Sequence, residues 1–317
     1  MRLRSLAPLA ALALATSGCG GSSPPPARTT ATPGPFDSTL LTTTPGLARN
    51  AALREMLANY NAPFAPFTVV GNVHYVGAAG VSSFLITTPN GHFLLDGGFA
   101  ETAPMIIANI QALGFSIGDV KYLLNSHAHY DHAGGLAALK AASGAQMVSS
   151  EGDRDVLESG HIDYGPASQT NIAPVKVDRV ISDGGSLTLG GTTMVAFVTS
   201  GHTRGCTSWQ VDVRDAARQP HRVFIHCSAS VGGQTLVPES YPGQLNDFRQ
   251  TFDRVAGMHA DVFLAAHGSF FDLAGRRQRQ QAGNTDAFVD EHALSVYNRQ
   301  MRDQFQQELA RQSAGRQ

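Results

Sequence analysis

The stretch VKYLLNSHAHYDHAGGLAALKAAS, residues 120–143, constrains the fold of this chain more than any other. Its first residues form a short apolar run of strand length. Its last ten carry the apolar spacing of a helix. Between them His127, His129, Asp131 and His132 fall within six residues, followed by two glycines. A strand that ends in a polar cluster and then feeds a helix belongs to a layered α/β domain, where loops at strand ends carry a site on a rigid scaffold.

His-x-His-x-Asp-His is ligand chemistry: imidazole suits zinc, and a carboxylate is a tolerated partner. In extended backbone His127, His129 and Asp131 share one side and His132 points elsewhere. One small ion does not easily accept four ligands so disposed; two neighbouring ions do. Two further histidines stand in similar places. His202, in TSGHTRG, follows the apolar strand Met194–Thr199, and His267, in FLAAHGS, follows the strand Asp261–Ala266. A single histidine after a strand is usually an ordinary core or surface residue. His74, His92, His161, His221, His226, His259 and His292 are read that way.

The remaining pattern extends the layered reading. FTVVGNVHYVG (67–77) and VSSFLITTPNGHFLLDGG (81–98) read as strands, the second turning at Asn90-Gly91. Residues 103–113, 245–258 and 285–310 read as helices, with a short one at 47–59. AQMVSS, the run 177–203, TSWQVDV, RVFIHCSAS and ADVFLAAHG read as strands. The polar, glycine-containing stretch 151–173 reads as a long loop or lid. Trp209, the single tryptophan, reads as core of its strand.

The formal net charge is −2, with no basic stripe to favour nucleic acid. No apolar run approaches the roughly 20 residues that span a bilayer. Residues 1–19 read as an export signal: Arg2 and Arg4 precede the apolar Leu6–Ala15. Two cleavage sites compete, a small-x-small site at Ala13-Leu14-Ala15 and a lipoprotein-like TSGC that would put a lipid anchor on Cys19. Either places the mature protein outside the cytoplasm, in the periplasm or on the outer membrane. Gly20–Pro35 cannot form a core, so 20–38 is read as a flexible leader and 39–317 as one folded domain, expected to act as a monomer. Cys206 and Cys227 flank a hairpin; a disulfide and a pair of buried thiols both fit.

His127-x-His129-x-Asp131-His132, Gly201-His202-Thr203 and His267 resemble the signature of the metallo-β-lactamase superfamily. LLDGG, with Asp96, is similar to its first motif. The resemblance runs from Phe67 to His267. It implies a four-layered αβ/βα sandwich, an α/β fold of two mixed β-sheets with flanking helices, and metals at one edge. The superfamily includes β-lactamases, glyoxalase II enzymes, lactonases, ribonucleases and phosphodiesterases, and fold alone does not choose among them. Many of its hydrolases place a metal-bridging aspartate where this chain reads HCSASVGG, so the resemblance argues against the glyoxalase II and lactonase types. One β-lactamase subclass uses a cysteine ligand near Cys227, but that cysteine replaces the histidine that this chain has at His132. GHTRGCTSW, CSASVGGQTLV, VGAAGVSSFLI and PVKVDRVISDG are similar to subclass B3.

The resemblance then implies two Zn2+ per chain. His127, His129 and His202 would hold one; Asp131, His132 and His267 the other. The implied activity is opening of the β-lactam ring of penicillins, cephalosporins and carbapenems by a zinc-bound hydroxide, with Asp131 as the catalytic residue that orients it. Ser228 and Ser230 are the candidates for the substrate carboxylate, Tyr164 for an apolar wall, and Asp96 for support behind the ligands. The alternatives are another exported dizinc hydrolase, acting on a lactone, thioester or phosphodiester, and a non-catalytic zinc-binding protein.

Overall fold

The computed structural model describes residues 51–315. The export signal, the leader and the start of the helix expected at 47–59 lie outside the described residues. A seven-stranded sheet holds β1 (Phe67–Val70), β2 (Val73–Tyr75), β3 (Phe84–Thr88), β4 (Gly91–Leu95), β5 (Val120–Leu124), β6 (Gln146–Ser149) and β7 (Arg179–Val180), side by side in that order. A five-stranded sheet holds β8 (Ser186–Leu189), β9 (Thr192–Val198), β10 (Thr207–Arg214), β11 (Pro220–His226) and β12 (Val262–Ala265) in the same sequential order. Both sheets are mixed: β1 to β4 are antiparallel and β4 to β7 parallel, while β8 to β11 are antiparallel and β12 runs parallel to β11. The helices are α1 (Ala51–Tyr60), α2 (Ala103–Ala112), α3 (Tyr130–Ala133), α4 (Leu136–Ser143), α5 (Glu151–Ser159), α6 (Gln244–Ala256), α7 (Leu273–Gln281) and α8 (Ala293–Ala314).

Side-chain alternation explains the layers. Phe84, Ile86, Phe93, Leu95, Leu124 and Val148 face a core shared with Met194, Ala196, Trp209, Val211, Val223 and Ile225 of the second sheet. The intervening Leu85, Leu94, Leu123 and Met147 face the opposite way, onto Ile106 and Ile110 of α2 and Leu136 and Leu139 of α4. A sheet covered on both faces needs apolar residues at every position, which is why these strands read as unbroken apolar runs. Over the second sheet, Phe248 and Phe252 of α6 pack on Phe305 of α8. This is the αβ/βα sandwich expected. Among the described residues no helix is long and apolar enough to cross a membrane.

Several details differ from the sequence reading. The run 67–77 is two strands, β1 and β2, paired antiparallel about Gly71-Asn72. The β3–β4 turn centres on Pro89-Asn90, with Gly91 already paired to Thr88. The stretch 151–173 is not a loop throughout: it begins with α5, which buries Asp153, Val156 and Leu157. The helix expected at 285–310 starts at Ala293, and α7 before it was not expected. Cys206 and Cys227 form a disulfide with their Cα atoms 5.8 Å apart, which takes the Cys227 sulfur out of consideration as a metal ligand. Trp209 is core, and its indole N–H also donates to the Asn125 carbonyl at 3.1 Å, tying the second sheet to the start of the histidine cluster.

Candidate metal centre

The candidate residues gather at the C-terminal ends of β4, β5, β9, β11 and β12. Backbone is extended at His129, whose φ and ψ are −71° and 152°, and then turns into α3 at Tyr130. The extended pattern assumed from sequence therefore holds at His129 but not at Asp131. The helical turn sends Asp131 and His132 together toward His267. The turn is packed tightly: a side chain at Gly135 would lie 2.2 Å from the Gly97 carbonyl oxygen, so only glycine fits there.

Two side-chain sets result. His127, His129 and His202 bring their rings to centroid separations of 4.8, 4.7 and 4.7 Å, and one nitrogen of each lies within 4.8 Å of the others. In the second set the His132 Nε2 is 3.2 Å from the His267 Nε2 and 3.4 Å from Asp131 Oδ2, which is 3.7 Å from the His267 Nε2. The sets adjoin, since the His127 and His132 rings are 4.1 Å apart; His127, Asp131 and His132 also form a ligand-like group.

The far side of most rings is already engaged. His202 Nδ1 bonds the Ser230 carbonyl at 2.8 Å, His267 Nδ1 the Gly80 carbonyl at 3.1 Å, and His127 Nδ1 the Ser126 hydroxyl at 3.0 Å. Each contact fixes a ring and leaves Nε2 facing the cluster. The His127 Nε2 is buried and has no hydrogen-bond partner, an arrangement that a bound cation would satisfy. Burial holds His127 and His202 well below the usual histidine range and brings His129 and His267 down to about 4. Neutral imidazole is the metal-binding form. His132 goes the other way: burial opposes its charge, but Asp131 and Asp96 prevail and push it up to about 10. Asp131 is held well below the carboxylate range: burial raises it, and His132 overrides that. The donor set of five imidazoles and one carboxylate fits zinc.

Two buried carboxylates stand behind the cluster. Asp96 accepts from the Ser126 N–H at 2.7 Å and hydroxyl at 2.6 Å, and lies 3.5 Å from His132 Nδ1. Its φ of +63° is uncommon for a residue other than glycine. Asp153 was not foreseen from sequence, because its neighbours in EGDRDVLES are polar and its partners lie far along the chain. Burial pushes its carboxyl up to about 7 against three hydrogen bonds that favour the anion.

A cavity of about 540 Å³ opens onto both sets. Ser230 and Tyr164 line it, as do Tyr60, Tyr130 and Phe270. Ser228 is buried behind Ser230, the two hydroxyl oxygens 3.2 Å apart. The Tyr164 hydroxyl accepts from the Arg204 N–H at 3.1 Å, and the Arg204 guanidinium lies over its ring. Among the described residues lining the cavity there is no lysine or arginine.

Comparison with known proteins adds to this geometry. The family model of the metallo-beta-lactamase superfamily matches residues 76–217. A metallo-β-lactamase of Cronobacter sakazakii described by a HARLDQ motif is 38% identical, with a TM-score of 0.78, over 82% of this chain and 99% of that one. This chain reads HAHYDH at 127–132. BJP-1, a subclass B3 metallo-β-lactamase of Bradyrhizobium japonicum, is 35% identical (TM-score 0.76), covering 82% of this chain and 98% of its own. The FEZ-1 metallo-β-lactamase of Legionella gormanii is 36% identical (TM-score 0.77), covering 80% and 98%. Among curated proteins, a hydroxyacylglutathione hydrolase of Rhodospirillum rubrum is 29% identical over 32% of this chain, and the N-acyl homoserine lactonase AttM of Rhizobium radiobacter 36% identical over 20%. The chain spans 32% of the length of each of these two.

Proposed function

Because the chain belongs to the metallo-β-lactamase superfamily, and within it to the subclass B3 type, we propose that this hydrolase opens the ring of penicillins, cephalosporins and carbapenems with two zinc ions. The observation that carries the proposal is the pair of adjoining ligand sets at the floor of one cavity, with serines and no acid at the end of β11. The B3 likeness extends over four-fifths of the chain, whereas the lactonase and glyoxalase-type matches cover 20% and 32% of it.

His127, His129 and His202 would hold one zinc, and Asp131, His132 and His267 the other. When bound, the ions supply Lewis acidity and lower the pKa of water toward about 7. The protein contributes the rest. Asp131 presents Oδ2 beside His132 and His267, where it orients the attacking water. Ser230 presents a hydroxyl to the substrate carboxylate, with Ser228 behind it, in a cavity without lysine or arginine. Tyr60, Tyr164 and Phe270 give apolar walls to substituents on the lactam. No serine nucleophile is needed: Ser126, the serine that touches both the His127 ring and Asp96, is buried and lines no part of the cavity.

The Cys206–Cys227 disulfide supports work in an oxidising compartment, in line with the export signal read at 1–19; lipidation at Cys19 would anchor the protein to the outer membrane. The test is a substrate panel with the zinc-loaded mature protein: a penicillin, a cephalosporin, a carbapenem, an N-acyl homoserine lactone and a thioester. Turnover of the β-lactams is expected to exceed that of the others. Efficient lactone or thioester hydrolysis with negligible β-lactam turnover would overturn the proposal.

A further inference from the structure

Asp153 is completely buried and lines no part of the cavity. Its Oδ2 accepts from the Ala128 N–H at 2.9 Å and from the Thr203 hydroxyl at 3.3 Å, and its Oδ1 accepts from the Gly205 N–H at 3.1 Å. Ala128 lies between His127 and His129, and Thr203 follows His202. One carboxylate therefore spans the two loops that form the three-histidine set, and those loops leave different sheets. The approach is close. A Cβ on Gly205 would fall 2.5 Å from the Asp153 carboxyl carbon and 2.6 Å from the Ser150 hydroxyl, which itself donates to the Gly205 carbonyl at 2.6 Å. Asp153 makes no contact of this kind with Asp131, His132 or His267; the corresponding carboxylate there is Asp96.

We propose that Asp153 is a positioning residue for the three-histidine set, holding the 127–129 and 202–205 loops at the separation at which their imidazoles converge on one cation. A fully buried carboxyl group is costly to keep, and three hydrogen bonds to loops from two sheets give it a task that a local fold requirement does not.

The proposal rests on the metal reading above, and its test separates the two. In a His267→Ala background the second set is broken and zinc reports on the three histidines; in a His202→Ala background it reports on the second set. Asp153→Asn keeps the side-chain shape but leaves one oxygen and sets an amide donor against a backbone donor. Competition against a chromogenic chelator is expected to show zinc bound about ten- to a hundredfold more weakly in the first background, and changed by less than about threefold in the second. Equal weakening in both would mean a general structural role and overturn the proposal, as would unchanged affinity in both. If Asp153→Asn does not fold, Thr203→Val removes one of the three donors: weakening of about threefold or more confined to the three-histidine set supports the proposal, and unchanged affinity overturns it. Failure of the His267→Ala protein to take up any zinc would sink the metal reading and this proposal together; tight binding indifferent to residue 153 sinks this proposal alone.

Discussion

The two proposed ligand sets share a cavity but are built differently. His127, His129 and His202 are all imidazoles, kept neutral by burial. Asp131, His132 and His267 include a carboxylate already paired with an imidazole. A doubly charged ion entering the first set meets only neutral donors, so its affinity depends on how well three rings are held in advance. An ion entering the second set gains an opposite charge and displaces a proton from the Asp131–His132 pair. Preorganisation dominates one half and charge the other.

Breaking either half tests that contrast most strongly. His202→Ala and His267→Ala are each expected to lower β-lactam turnover by about a thousandfold or more while each removes one zinc of the two. Loss of both zincs in either variant, by elemental analysis, would show one cooperative site instead. Asp96 reaches both halves, touching His132 directly and His127 through Ser126. Asp96→Asn should therefore weaken zinc at both sets, by about tenfold or more at the second, unlike the one-sided effect expected at Asp153. Affinity unchanged at the three-histidine set would cut the Ser126 link out of the account.

Smaller effects come from the cavity wall. Ser230→Ala is expected to raise KM for β-lactams about fivefold with kcat nearly kept, the loss of one hydrogen bond. A fall in kcat at constant KM would move Ser230 from binding to chemistry.

The metal-free protein should show the contrast in its pH dependence. His129 and His267 titrate near 4 when folded and near 6.5 when unfolded. Between those values the unfolded chain binds more protons, so stability falls as pH drops from about 6.5 to about 4. His127 and His202 share this sign, as do His74 and His226; Asp153, raised to about 7, and Asp247, also raised, oppose it. His132, raised to about 10, stabilises fully below 6.5 and loses that contribution as pH climbs toward 10. Thermal unfolding of chelated protein is thus expected to peak near pH 6.5. An equal melting temperature at pH 4.5 and 6.5 would contradict the buried, neutral histidines.

The sequence pointed to the candidate ligands more readily than to the residues that hold them. His127 to His132 are contiguous, and His202 and His267 each follow an apolar strand, so position and chemistry pointed the same way. Asp153 gave no such signal. Its helix offers only Val156 and Leu157 as buried apolar residues, and its partners lie 25 to 52 positions away. The β1–β2 break was hidden for a similar reason: a hairpin of two short buried strands has the same apolar run as one longer strand. The start of α8 was blurred because the polar turn before it does not interrupt a weak helical period.

On the proposed function, β-lactam hydrolysis requires both sets filled with zinc. Carbapenem turnover and bound zinc should be measured on the same samples of mature protein, after chelation and during stepwise reloading. Negligible turnover is expected without metal, and full activity at about two zincs per chain. Full carbapenem turnover by the chelated protein, or none at two bound zincs, would contradict it.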